Sequence, residues 1–259
     1  MSASIRLSIF WPNSEPEQLP ERTDTLVLTT SSGRYIDIRS YKQNSLDSHP
    51  ELKSFPFDWA FAGDERVLSK NPTKIEFTHQ FFDSSYILRL SSYLRRESSV
   101  KPNRDEIPVD CGRFVTLSSG IREETGEMMN EHTKKVEPYI EHWVSVDPLN
   151  SKPNNMIQLD DDSTDNVRFK STLFDIEVEE KYEGRFIRLG AWAQGLIWDK
   201  SNIDCPISVI RRHQNGSKWI TILQFGDCIS KLKGLEEEPV KEGVTTIKDD
   251  VRWTCKESN

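Results

Sequence analysis

A chain of 259 residues with 34 basic and 42 acidic side chains carries a formal net charge of −8, a balance that excludes nucleic acid as the main partner because phosphate binding needs a basic face. Only 35% of the residues are hydrophobic and the mean hydropathy is −0.63. Every apolar run falls short of the roughly 18 residues of a membrane span, so no membrane insertion is expected. The length suits two cores better than one. Cys111, Cys205, Cys228 and Cys255 form neither a CxxC pair nor a zinc spacing, and the first ten residues lack the pattern of an export signal. Reduced thiols in a reducing compartment are therefore expected.

Ile5, Leu7 and Ile9 alternate with Arg6 and Ser8, the pattern of an opening strand that buries its apolar face. Leu26–Leu28 and Tyr35–Arg39 flank Ser31-Ser32-Gly33, a hairpin signal. The run from Phe55 to Gly63 then packs four aromatic rings into nine residues and reads as an aromatic wedge ending in a glycine corner. Ile75, Phe77, His79 and Phe81 alternate with polar residues, which turns His79 inward; no second histidine lies at metal spacing. Tyr86, Leu88 and Leu90 read as another strand, and Arg95 to Asp110 as the linker between a first domain, 1–104, and a second, 105–259.

In the second half, Ile140, His142, Val144 and Val146 alternate with Glu141, Trp143 and Ser145, putting His142 in the same inward position as His79. The acidic run Asp160–Asp165 lacks the glycine and distal glutamate of an EF-hand and reads as a solvated loop. A turn at Tyr182-Glu183-Gly184 leads into Arg185–Leu189 and a second wedge, Leu189–Gly195, and Asn215-Gly216 is the strongest hairpin signal in the chain. Only Ile229–Lys241 suits a helix, with Glu236-Glu237-Glu238 as its exposed end.

Gly33-Arg34-Tyr35-Ile36 and Gly184-Arg185-Phe186-Ile187 repeat one motif, each followed by a tryptophan wedge. That order predicts two similar antiparallel β-domains, sandwiches or up-and-down barrels. The residues alone offer little chemistry. GxSxG, HExxH, Walker and GxGxxG motifs are missing, and carboxylate pairs such as Glu123-Glu124 arise by chance among so many acids. Cys111 has no identifiable base beside it in the sequence. No enzyme, catalytic residue, metal or cofactor is expected.

At Ser54-Phe55-Pro56-Phe57-Asp58-Trp59-Ala60-Phe61-Ala62-Gly63 the chain resembles the fungal Hri family, small proteins named for interaction with a yeast casein kinase I. The likeness continues at Glu123-Glu124-Thr125-Gly126, Val146-Asp147-Pro148 and Gly190–Gly195, in order and over nearly the whole chain. The resemblance implies an all-β chain of two lipocalin-like antiparallel β-barrel domains, a homodimer in cytoplasm and nucleus, with no known reaction. It also implies casein kinase I and an endoplasmic reticulum translocation subunit as partners. Casein kinase I enzymes favour a hydroxyl three residues after an acid, so Ser163 after Asp160 and Thr164 after Asp161 are candidate phosphorylation sites. The alternative is a small hydrophobic ligand inside a barrel, lined by Trp59, Phe61, Trp192 and Trp198, although such aromatic wedges more often fill a core.

Overall fold

The computed structural model describes residues 1–13, 21–130, 133–159, 169–176, 181–238 and 241–259. Short-range hairpins set its topology. β1 (Ser2–Phe10) pairs antiparallel with β2 (Thr23–Thr29), which turns at Gly33 into β3 (Arg34–Tyr41). Gly33 has φ +80°, a conformation that costs glycine little. After a short helix α1 (Gln43–Ser48) comes β4 (Phe57–Lys70), whose first half pairs with β3 and whose second half pairs with β5 (Thr73–Thr78). A two-residue strand β6 (Phe82–Asp83) lies against β4 and leads into helix α2 (Ser84–Leu94). β7 (Val109–Thr116), β8 (Arg122–Asn130) and β9 (Lys135–Ser145) continue the meander, and β9 returns to β1 with Val144 opposite Ile5. That pairing closes an eight-stranded antiparallel barrel.

The second unit is a seven-stranded antiparallel sheet. It comprises β10 (Ser171–Ile176), β11 (Tyr182–Leu189), β12 (Trp192–Asp199), β13 (Ile207–Asn215), β14 (Lys218–Phe225), β15 (Thr245–Lys248) and β16 (Val251–Ser258). Its order is β14-β13-β12-β11-β10-β16-β15, and among the described residues its two end strands are not joined to each other. The all-β, antiparallel architecture is therefore as expected, and the repeat is real at the level of strands: β2-β3-β4 and β10-β11-β12 are successive neighbours in their sheets. The changeover comes between Ser145 and Ser171 instead of after residue 104, because β7, β8 and β9 are needed to close the barrel.

Other local expectations change for identifiable reasons. Tyr86, Leu88 and Leu90 lie in α2 and not in a strand: the Asp83 carboxylate accepts the Tyr86 N–H at 2.7 Å and caps the helix, while Tyr86, Ile87 and Leu90 present one face to the core. Gly63 is no corner; it lies inside β4, where a Cβ would stand 1.5 Å from the Thr78 carbonyl oxygen. Gly184 likewise lies inside β11, opposite Ile197. Glu236 is buried against Arg212, not exposed.

The main core lies outside the barrel. Leu26, Leu28, Ile36, Ile38, Ala60 and Ala62 point outward from β2, β3 and β4 and meet Leu173, Ile187, Trp192, Leu196 and Val209 of the second sheet. On that sheet's other face Phe174, Phe186, Ile210, Trp219 and Trp253 form a separate cluster, so the sheet is buried on both sides. Buried polar side chains also cross the joint. Gln194 donates to the Leu26 and Ile36 carbonyls at 3.0 and 3.3 Å. Arg211 donates to Gln194 Oε1 and to the Ile38 carbonyl, both at 2.9 Å, and Arg185 to the Gly63 carbonyl at 2.6 Å.

Candidate ligand site in the barrel

Strand alternation that sends aliphatic side chains out toward the second sheet sends the intervening polar ones into the barrel. Asp37 and Arg39 from β3, Phe61 from β4, Glu124 from β8, and Tyr139 and Glu141 from β9 converge on a cavity of about 90 Å³. Drug-sized ligands occupy roughly 300–1,000 Å³, so this space suits a compact guest. Gly112 on β7 makes room for the Glu124 carboxyl, since a Cβ there would lie 2.2 Å from Glu124 Oε1.

The lining is a charge network. Arg6 reaches Glu141 at 2.7 Å and Glu21 at 2.9 Å; Arg39 pairs with Asp37 at 2.9 Å and approaches Glu141 at 3.7 Å. Burial opposes the Arg39 charge, but Asp37 and Glu141 more than restore it and its pKa is raised. The guanidinium also lies 5.4 Å from the Trp59 ring and 5.1 Å from that of Phe61, a favourable cation–π arrangement. Burial, followed by the nearby Glu141 charge, pushes Glu124 up to about 8, while the Tyr139 hydroxyl donates to it at 2.9 Å. Glu65 is also raised, by burial first.

Buried groups that line this cavity have hydrogen-bonding capacity unused among the described residues. Asp37 Oδ1 has no donor, and neither ring nitrogen of His79 has a well-oriented partner. His79 Nε2 comes within 3.2 Å of Asp110 Oδ2, close enough for an ion pair but misdirected for a hydrogen bond. The ring is 1% exposed and packs 4.8 Å from both Trp59 and Phe61, as its inward placement required.

The structure brings Trp59 and Phe61 together in the barrel: their ring centroids are 4.2 Å apart and Trp59 Nε1 donates to Asp83 at 3.2 Å. Trp192 and Trp198 sit instead in the core between the units, against His213 and Tyr86 respectively. Ser163 and Thr164 lie outside the described residues. His142 is not inward. It shares hydrogen bonds with Ser8 Oγ at 2.9 Å and Glu123 at 3.3 Å, while its neighbours Glu141 and Trp143 line the cavity. Arg6 and Glu141 are functional candidates that apolar alternation assigned to solvent, and Asp37, Arg39 and Glu124 are candidates that it did not single out. The available signal was charge of both signs recurring at one parity on strands that pair with each other.

The sequence pattern of the family described as Protein HRI1 matches residues 2–257. A Candida glabrata protein named Protein HRI1 is 29% identical over 90% of this chain and 91% of its own length. A Kluyveromyces lactis protein of the same name is 27% identical, over 94% of each. The Saccharomyces cerevisiae Protein HRI1 is 29% identical over 98% of this chain and 97% of that protein. A crystal structure of an uncharacterized Saccharomyces cerevisiae protein superposes with a TM-score of 0.77 at 24% identity, covering 100% of this chain and 98% of that one, and shares the fold.

Proposed function

Given that the chain belongs to the Protein HRI1 family, we propose that it is a non-enzymatic interaction protein whose partner is a casein kinase I. The observation that carries this reading is the use made of the Phe55–Gly63 run, on which the family resemblance is most specific. Ala60 and Ala62 enter the core shared by the two units, Phe61 turns into the barrel, and the Gly63 carbonyl accepts Arg185. The run therefore builds a rigid two-part scaffold, and its residues are spent on architecture instead of on a reaction centre. The resemblance supports the same chain acting as a homodimer in cytoplasm and nucleus, with an endoplasmic reticulum translocation subunit as a second partner. Purified chain and purified casein kinase I should co-elute in size exclusion, and mass spectrometry after incubation should find phosphate on Ser163 or Thr164. Separate elution at micromolar concentrations removes the kinase reading; unmodified Ser163 and Thr164 at full kinase activity remove the phosphorylation sites.

A second reading is supported by the cavity itself: the barrel carries a small ligand. Convergent polar groups with an aromatic wall are the ordinary composition of a small-molecule site. Ligand titration followed by the fluorescence of Trp59 and Trp143, which lie in or beside the cavity, tests it.

A further inference from the structure

We infer that the barrel cavity is a site for a compact organic cation, an ammonium group carried on a small apolar or aromatic body. This rests on the reading of the barrel as a ligand carrier and names the chemistry of its guest.

The first observation is charge. Five carboxyls, those of Asp37, Glu65, Asp110, Glu124 and Glu141, line the cavity against two guanidiniums, Arg39 and Arg122. Arg6 adds a third cation from behind the lining, but it already bridges Glu141 and Glu21. With Glu124 holding its proton, four carboxyls of the lining still face the two guanidiniums. The second observation is independent of the count: Asp37, which lines the cavity, is 3% exposed and its Oδ1 has no donor among the described residues. A buried carboxylate oxygen left unpaired is costly, and a cationic N–H is the strongest partner for it. The third is the wall. Arg122 lies 4.7 Å from the Phe114 ring and Arg39 5.1 Å from Phe61, so the aromatic lining already accommodates positive charge. Phe77 and Tyr35 continue that wall, edge to face at 6.0 Å.

The proton on Glu124 fits the same account. Glu141 and Tyr139 on β9 and Arg39 on β3 face this carboxyl, and β7 presents Gly112 beneath it. Burial and the Glu141 charge hold the carboxyl protonated up to about pH 8. A cation arriving in the cavity offsets the acid excess and favours the ionised form, so binding at neutral pH releases a proton.

The full-length chain is titrated calorimetrically with methylammonium and benzylammonium, and with benzyl alcohol and benzoate as neutral and anionic counterparts of the aromatic cation. The expected result is that at least one ammonium binds, that benzylammonium exceeds benzyl alcohol by about tenfold or more, and that benzoate is weakest. The proton release appears as a binding heat that depends on the buffer's ionisation enthalpy. Asp37→Asn weakens ammonium binding about tenfold. If that variant does not fold by circular dichroism, Glu65→Gln serves in its place and weakens binding about threefold. Benzyl alcohol or benzoate binding as tightly as benzylammonium, or ammonium binding indifferent to these substitutions, overturns the cation assignment and leaves the ligand reading standing. Binding by none of the four overturns both.

Discussion

Replacing Glu124 by glutamine should change how the stability of the fold depends on pH. Glu124 is buried beside Glu141, and its carboxyl titrates at about 8 instead of 4.5. Below pH 4.5 folded and unfolded chains both hold the proton, and the group contributes no pH dependence. Between 4.5 and about 8 the folded chain keeps a proton that the unfolded chain has lost, so stability falls as pH rises, by about 1.4 kcal/mol per unit. Over that whole window the loss from this one group is about 5 kcal/mol, and above it the dependence stops. Glutamine retains an acceptor for the Tyr139 hydroxyl and cannot ionise. Urea unfolding of both proteins at half-unit steps from pH 5 to 9 reads the difference directly. Glu124→Gln should gain on the parent steadily up to about pH 8 and then run parallel to it. Parallel curves from pH 5 to 8 would refute the buried, protonated carboxyl and with it the proton release expected on cation binding.

Gln194→Leu strips the Leu26 and Ile36 carbonyls of their donor and Arg211 of an acceptor in the joint between the units. It should cost about 2–4 kcal/mol in chemical denaturation, where a loss under 1 kcal/mol would make that polar seam incidental. Gly63→Ala places a methyl carbon 1.5 Å from the Thr78 carbonyl oxygen, so β4 and the Thr78 segment must separate. Loss of at least about 3 kcal/mol, or of soluble protein, is expected, and a native melting temperature would contradict the close approach. Arg6→Met leaves Glu21 and Glu141 without their shared cation. The expected penalty is about 3–5 kcal/mol at pH 7; chemical denaturation checks it, and a loss under about 1 kcal/mol would contradict the bridge.

Strands were readable wherever one face was plainly apolar and a turn residue stood at its end, as at Gly33 and at Asn215-Gly216, where β13 and β14 meet with Gly216 at φ +63°. What alternation could not give was which face pointed where. On β1 the side chains of Arg6 and Ser8 are buried while Leu7 is 40% exposed, the reverse of the expectation from Ile5, Leu7 and Ile9. Period-two reasoning assumes one wet face per strand. Here the barrel closes around polar residues, and a second sheet covers the aliphatic side of β2, β3 and β4, so both faces of those strands are dry. The charges of Asp37, Arg39 and Glu141 look like solvent contacts until β9 is known to return to β1. The helix α2 was hidden for a smaller reason: the Asp83 cap acts through a backbone N–H three residues on, and the leucine spacing within α2 fits a strand nearly as well.

The covered outer wall of the barrel also has a history during synthesis. The ring of strands is complete once Ser145 has emerged, yet Leu26, Leu28, Ile36 and Ile38 gain their covering from residues that arrive only with β10 through β13. At about 5–20 residues per second, some 3–14 seconds separate the two events. For that interval a finished barrel wears an aliphatic coat in water, and a chain halted there, or clipped after β9, should self-associate through the surface that the remaining residues exist to hide.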